Sequence, residues 1–503
     1  MKNWEIENFL EVKNNQLHIS GVSAIELAEK YDTPLFVFSE GRIRQNIERL
    51  KRAENFIDCK LKICYAAKAN SNMAILRVVK NAGADLEVNS GGELWKALKM
   101  GFAPKQIIFN GTSKEIWELE NAVNAGIYAI QVDSLLELAL IEETARRLDK
   151  RVNVSLRLVP EIETKTHSGL QTALLTSKFG MMPDEALSAF HVYKDSKFLN
   201  LSGIHLHIGS QNPEAAPYAA ALKMLFENLV LIYNETGLKL SHLNLGGGFP
   251  VNYLHDDSHA IDFPQAQREM FSANLEPAEV LENAWRIVKE TASRVNASHL
   301  LENTTLLLEP GRSVISDAGV CLTTVRNIKE RPLSEVNLRR NKSSLERARQ
   351  KPKQSGVSFG LYDIEYKFVN PKVNAVVWLL TNAGFNILLS METYKWYYHL
   401  ISAERAGEAH NFPYKLAGPL CDGGDVYFDI EGLNRLPDYR LLPENVQPGE
   451  VLALLNCGAY SLAQMSQYNG RFLPAVVLID EDGKVELVRR RDNYEDLVTN
   501  DIF

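Results

Sequence analysis

The sequence predicts an α/β chain in two parts, a (β/α)8 TIM barrel over about residues 37–311 and a mostly β C-terminal domain. Three observations carry this. Eight short β-rich runs alternate with longer amphipathic segments between residues 60 and 311. That span matches the roughly 250 residues such a barrel occupies. Beyond Arg312 the pattern changes to β runs separated by Gly/Pro turns.

Taken in order, the barrel runs are Lys62–Ala66, Asp85–Val88, Ile107–Phe109, Ile127–Val132, Val152–Leu158, Ser202–Ile208, Leu243–Leu245 and Thr305–Leu308. Helical spacing fills the intervals, as in Leu94 and Trp95 with Leu98, or Leu135 and Leu136 with Leu138 and Ala139. A doubly wound open sheet has the same periodicity, and strand count and length favour closure. The β domain is predicted to hold Val314–Val325, Ala375–Leu380, Val451–Leu455 and Ala475–Leu478, joined by residues 1–36. A basic insert at 326–353, with Arg339, Arg340, Lys342, Arg347, Arg349, Lys351 and Lys353, reads as a solvated loop.

Composition excludes several classes. With 503 residues, 45% hydrophobic and 23% charged, the chain has apolar material for a large core. A net charge of -8 argues against a nucleic-acid groove, and no apolar stretch approaches a membrane span. Met1–Glu7 carries acids where a secretory signal needs an apolar core. Five scattered cysteines without a Cys-x-x-Cys pair read as reduced thiols, not a disulfide frame or metal site, so a cytoplasmic protein is expected.

Barrel enzymes place chemistry at the C-terminal strand ends, and the distinctive motifs fall there. Lys68 follows the first strand, where desolvation would depress its pKa and make the amine a nucleophile toward an aldehyde. His205 and His207, on one face by strand alternation, precede Ser210 at the sixth. Gly246, Gly247 and Gly248 end the seventh and admit an anion to the backbone. Glu309, Gly311 and Arg312 end the eighth. Arg312 offers a charged fork, and Glu309 a carboxylate able to keep a pyridine nitrogen protonated. An amine for an aldehyde, a phosphate cradle and a carboxylate for a pyridinium together specify pyridoxal 5'-phosphate.

Six motifs then carry a resemblance. They are Tyr65-Ala-Ala-Lys68-Ala-Asn70, His207-Ile-Gly-Ser-Gln211, Gly246-Gly-Gly-Phe-Pro250, Glu309-Pro-Gly-Arg312, Gly418-Pro-Leu-Cys-Asp-Gly-Gly-Asp425 and Gly458-Ala-Tyr460. The chain resembles the fold-type III pyridoxal-phosphate-dependent basic amino acid decarboxylases, the ornithine and diaminopimelate decarboxylase group. The resemblance implies an alanine-racemase-like barrel, a β domain and a head-to-tail homodimer with active sites at the interface. It implies that Lys68 binds the cofactor aldehyde, His207 stacks on the ring and Glu309 pairs with its nitrogen. Ser210, the glycine loop, Arg312 and Tyr460 would hold phosphate or neighbouring substrate groups, with Arg157 near the cofactor. Cys421, from the partner subunit, would be the proton donor after carbon dioxide leaves, and Asp422 would face the distal amine.

For substrate, Thr166–Ala173, His205–Pro213, Leu416–Asp425 and Arg489–Asp496 look most like the bacterial D-ornithine/D-lysine decarboxylase branch. Diaminopimelate decarboxylases usually carry Cys-Glu where this chain has Cys421-Asp422. They also place an arginine after the strand that here reads Phe385–Glu392, which has none. The aspartate that ornithine decarboxylases show in that same region is also missing, with Met391 and Glu392 there instead, and Glu392 stands as its substitute. The primary expectation is therefore a diamine and carbon dioxide from D-ornithine or D-lysine. The alternatives are diaminopimelate decarboxylation to L-lysine, racemisation, and a catalytically inactive regulatory binding protein. Racemases of this fold usually pair the ring nitrogen with arginine, so Glu309 points away from them.

Overall fold

The computed structural model describes residues 2–174, 176–255, 262–332, 375–433 and 435–502. Packing divides the chain into two compact units. One is Arg42–Val251 with Ala273–Ser316; the other is Met1–Gly41, Asn252–Ser272 and Asp317–Phe503.

Among the described residues, eight parallel strands close a barrel in the first unit: Lys60–Ala66, Asp85–Val88, Ile107–Phe109, Ala129–Val132, Val152–Arg157, Leu199–His205, His242–Asn244 and Thr305–Leu308. The eighth returns to the first, with Leu306 opposite Leu61, so closure wins over the open sheet. Each expected run holds a strand, with ends shifted by up to three residues. One shift matters: the sixth strand stops at His205, which leaves His207 in the following loop, beyond strand alternation.

Two of the barrel helices start where a serine caps them. In Asn89-Ser90-Gly-Gly-Glu93 the Ser90 hydroxyl accepts from the Glu93 N–H at 3.2 Å, and the Glu93 carboxylate accepts from the Asn89 N–H at 2.8 Å. Asp133-Ser134-Leu-Leu-Glu137 repeats the device before Leu135–Arg147. The buried faces differ from the expected ones: Leu94 and Ala97 turn inward while Trp95 is 58% exposed, and Leu138 and Ile141 are covered while Leu136 is exposed. Adjacent apolar residues cannot all share one stripe of a 3.6-residue turn.

The second unit is built on a mixed sheet. Its strand order is Arg440–Leu442, Phe412–Ala417, Ala375–Thr381, Gly319–Pro332, Leu35–Ser39, Ala475–Ile479 and Val485–Arg489. Val451–Leu454 pairs with Gly319–Pro332 and with Leu400–Ser402. Three expectations change here. Val314 and Ile315 belong to a helical turn, Arg312–Ile315, and the strand begins only at Gly319. The start of the basic insert is not loop: Lys329 pairs with Trp378 and Arg331 with Val376. Residues 333–353 of that insert lie outside the described residues. Phe385–Glu392 is no strand either; it follows Ala375–Thr381 and ends in a short helix, Leu389–Thr393.

Candidate active site

At the mouth of the barrel the strand ends bring together Lys68, Glu87, Asn110, His205, Asn244 and Glu309. The first strand gives way to a tight turn, Ala67–Ala69, which lifts Lys68 above the rim. Its side chain is 45% exposed, and its Nζ lies 3.7 Å from Glu87 Oε1. The expected desolvated amine is thus corrected: Lys68 faces a carboxylate at an open mouth.

Glu309 is buried and clamped. Its Oε1 accepts from Asn244 Nδ2 at 2.7 Å and its Oε2 from Asn110 Nδ2 at 2.9 Å. Burial alone would raise its pKa. The His205 ring 3.5 Å away, Lys68 and the Asn244 amide outweigh that and keep the carboxyl ionised. Burial pushes the pKa of both His205 and His207 down; Glu309 opposes this at His205, whereas Lys68 and Arg157 add to it at His207.

Glu87 is the second acid of the pair. Asn110 Nδ2 donates to its Oε1 at 2.9 Å, bridging the two carboxylates. Burial pushes Glu87 up to about 7; Lys68 opposes this and Glu309 adds to it. Between the unfolded glutamate pKa near ~4.3 and about 7, the folded chain therefore holds the extra proton. Stability consequently falls as pH rises through that window. At about 1.36 kcal/mol per pKa unit the loss is on the order of 3 kcal/mol. Thermal melts of the cofactor-free protein between about pH 5 and pH 8 are expected to show this slope, and Glu87→Gln to flatten it. An equal slope in both proteins would refute the assignment.

The glycine loop is a cradle. Gly246 (φ +67°) and Gly248 (φ +109°) lie in backbone regions that L side chains rarely adopt. A Cβ on Gly246 would stand 2.7 Å from His207 Nδ1, and one on Gly248 would strike the Gly209 carbonyl oxygen. The loop is tied to the acid clamp, because Asn244 Oδ1 accepts from the Gly246 N–H at 2.9 Å. His207 Nδ1 accepts from the Gly247 N–H at 3.1 Å. Arg312, buried after Gly311, donates through Nε to Ser210 Oγ at 3.1 Å, bringing these two together. Arg157 ends the fifth strand, 3.9 Å from Asp133 Oδ1 and stacked over Phe179 at 4.2 Å.

These residues fit pyridoxal 5'-phosphate: an amine beside a carboxylate, an ionised buried acid, and a side-chain-free loop beside an arginine. Glu87 Oε2 and Ser313 Oγ, both buried, have no hydrogen-bond partner among the described residues, as polar groups awaiting a polar ligand would. Gly248→Ala is expected to weaken cofactor binding at least about tenfold, some 1.4 kcal/mol, in a fluorescence titration. An unchanged Kd would show that the loop is only a turn.

The remaining sequence-derived residues lie in the second unit. Cys421 is exposed, and its N–H donates to Asn469 Oδ1 at 2.7 Å. Asp422 accepts from the Gly424 N–H at 2.8 Å and from the Tyr468 hydroxyl at 3.1 Å. Glu392 pairs with the buried Lys395 at 2.7 Å. A Cβ on Gly424 would meet Asp422 Oδ1 at 3.3 Å and Glu392 Oε1 at 3.4 Å, so the two acids flank one glycine. Tyr460 sits at φ +58°. Asp425, the last residue of the Gly418–Asp425 motif, anchors the loop: its carboxylate accepts from the Phe385 and Leu420 N–H groups.

Sequence reasoning missed Glu87, Asn110 and Asn244. The available signal was position, since each is a polar side chain at the C-terminal end of a barrel strand.

A family model described as "Pyridoxal-dependent decarboxylase, pyridoxal binding domain" matches residues 41–316. The diaminopimelate decarboxylase of Methanocaldococcus jannaschii is 31% identical over 98% of this chain and 96% of its own length. That of Aquifex aeolicus is also 31% identical, over 98% and 97%. The solved structure of the M. jannaschii enzyme in complex with L-lysine superposes with a TM-score of 0.77 at 30% identity, covering 100% of this chain and 99% of that one. The chain belongs to the fold-type III, pyridoxal-phosphate-dependent amino acid decarboxylases.

Proposed function

We propose that the chain decarboxylates meso-diaminopimelate to L-lysine. The observation that carries decarboxylation is the ionised Glu309 held between two amide donors beside Lys68 and the glycine cradle. The choice of substrate rests on the relatives: those at 31% identity that span nearly the whole chain are diaminopimelate decarboxylases, the alternative to the D-ornithine/D-lysine branch.

Bound pyridoxal phosphate supplies an electron sink for the bond to the departing carboxylate. Lys68 would supply the amine that holds the cofactor aldehyde. Glu309 keeps a proton on the ring nitrogen, and neutral His207 packs against the ring. Gly246–Gly248, Ser210, Gly311, Arg312 and Tyr460 hold the phosphate or nearby substrate groups, with Arg157 close to the ring. Cys421 Sγ delivers a proton to the substrate carbon, and Asp422 takes the distal ammonium. Cys421 and Asp422 come from the other subunit of a head-to-tail homodimer.

One observation favours D-ornithine or D-lysine instead. Phe385–Glu392 contains no arginine for a second carboxylate, and Lys395 is engaged with Glu392. Carbon dioxide release should be screened over meso-diaminopimelate, D- and L-ornithine, D- and L-lysine and arginine. Release from meso-diaminopimelate is expected. Release only from D-ornithine or D-lysine would transfer the assignment to that branch.

A further inference from the structure

We propose that Tyr468 is a positioning residue for substrate specificity, fixing the Asp422 carboxylate so that it reads an ammonium at the far end of the substrate. The inference rests on the reading of Asp422 as substrate-facing.

The Cys421–Asp422 dipeptide is the tip of a loop whose base is pinned from several sides. The Asp425 carboxylate accepts from the Leu420 and Phe385 N–H groups, and the Arg471 guanidinium donates to the Pro419 carbonyl at 2.8 Å. The tip is held by a single turn, Tyr468–Gly470. Asn469 sits in the left-handed region at φ 57°, ψ 24°, a conformation asparagine tolerates. Its Oδ1 accepts from the Cys421 N–H, while the preceding residue, Tyr468, donates its hydroxyl to Asp422 Oδ2. Consecutive residues of one turn therefore serve consecutive residues of the other.

This contact does more than brace a loop. Asp422 Oδ1 is already taken by the Gly424 N–H, so the tyrosine hydroxyl fixes the second oxygen and with it the plane of the carboxylate. Each oxygen has capacity for a further hydrogen bond, directed to one side, which suits an ammonium donor. Glu392 lies on the other flank of Gly424, but Lys395 already neutralises it. That leaves Asp422 as the acid available to a cationic substrate end. The Tyr468 ring stacks on Phe385 with centroids 5.9 Å apart, so its aim depends on a contact that phenylalanine would also make.

Tyr468→Phe keeps this stacking and removes the hydroxyl. In the holoenzyme, calorimetric binding of 1,5-diaminopentane is compared with that of 1-aminopentane, which lacks only the second amine. The wild type is expected to prefer the diamine at least tenfold. Tyr468→Phe should cut that preference at least fivefold, leave monoamine affinity unchanged, and raise KM for the substrate with kcat within about twofold. Equal preference in both proteins, or none in the wild type, overturns the proposal. So does a uniform loss of affinity for both amines, which marks a structural defect. A wild type that discriminates the diamine through Tyr468 but releases no carbon dioxide would keep this inference and sink the proposed reaction.

Discussion

Lys68→Ala is expected to abolish carbon dioxide release, a fall on the order of 10⁴-fold or about 5.5 kcal/mol in transition-state stabilisation. The turn Ala67–Ala69 places this amine at the mouth facing Glu87, and alanine could not provide the covalent attachment proposed for it. The variant should still fold, because a side chain 45% exposed contributes little to the core and Glu87 can hold a proton in its absence. Borohydride reduction followed by peptide mass spectrometry provides a readout independent of turnover: a pyridoxyl adduct on the peptide containing Lys68 in the wild type, and none in the variant. Undiminished activity, or an adduct on another lysine, would refute the assignment.

The barrel was legible because its strands are buried apolar runs of the right number and spacing, and count and length together favour closure over an open sheet. The glycine triplet, Arg312 and Glu309 were legible because their chemistry is unusual at strand ends. Asn110 and Asn244 were not: a lone amide has no periodicity, and its role exists only once the third, seventh and eighth strands are neighbours of the same acid. The state of Lys68 was misread for a related reason. An apolar strand suggests a desolvated end, but three residues of tight turn suffice to carry a side chain out of the core. In Arg326–Pro332 the charged residues concealed the continuation of the strand that begins at Gly319, since alternating partners such as Lys329 with Trp378 and Arg331 with Val376 are paired by backbone, which charge does not report.

Glu309→Gln is expected to lower kcat on the order of 10²–10³-fold with the cofactor saturating, because the fixed negative charge proposed to face the ring nitrogen is lost. The clamp makes this substitution worse than isosteric. Asn110 and Asn244 both present Nδ2 donors, which match the two acceptor oxygens of a carboxylate. A glutamine amide must set its own donor against one of them, leaving a buried donor unsatisfied at a cost of about 1–3 kcal/mol. The same variant tests the coupling of the two acids. Burial still raises Glu87, but the repulsion from Glu309 disappears, so the stability loss between about pH 5 and pH 8 should shrink without vanishing. The two measurements separate cause from collapse. A kcat within threefold of wild type would remove Glu309 from the ring nitrogen, and an unaltered pH slope would show that the acids do not sense each other.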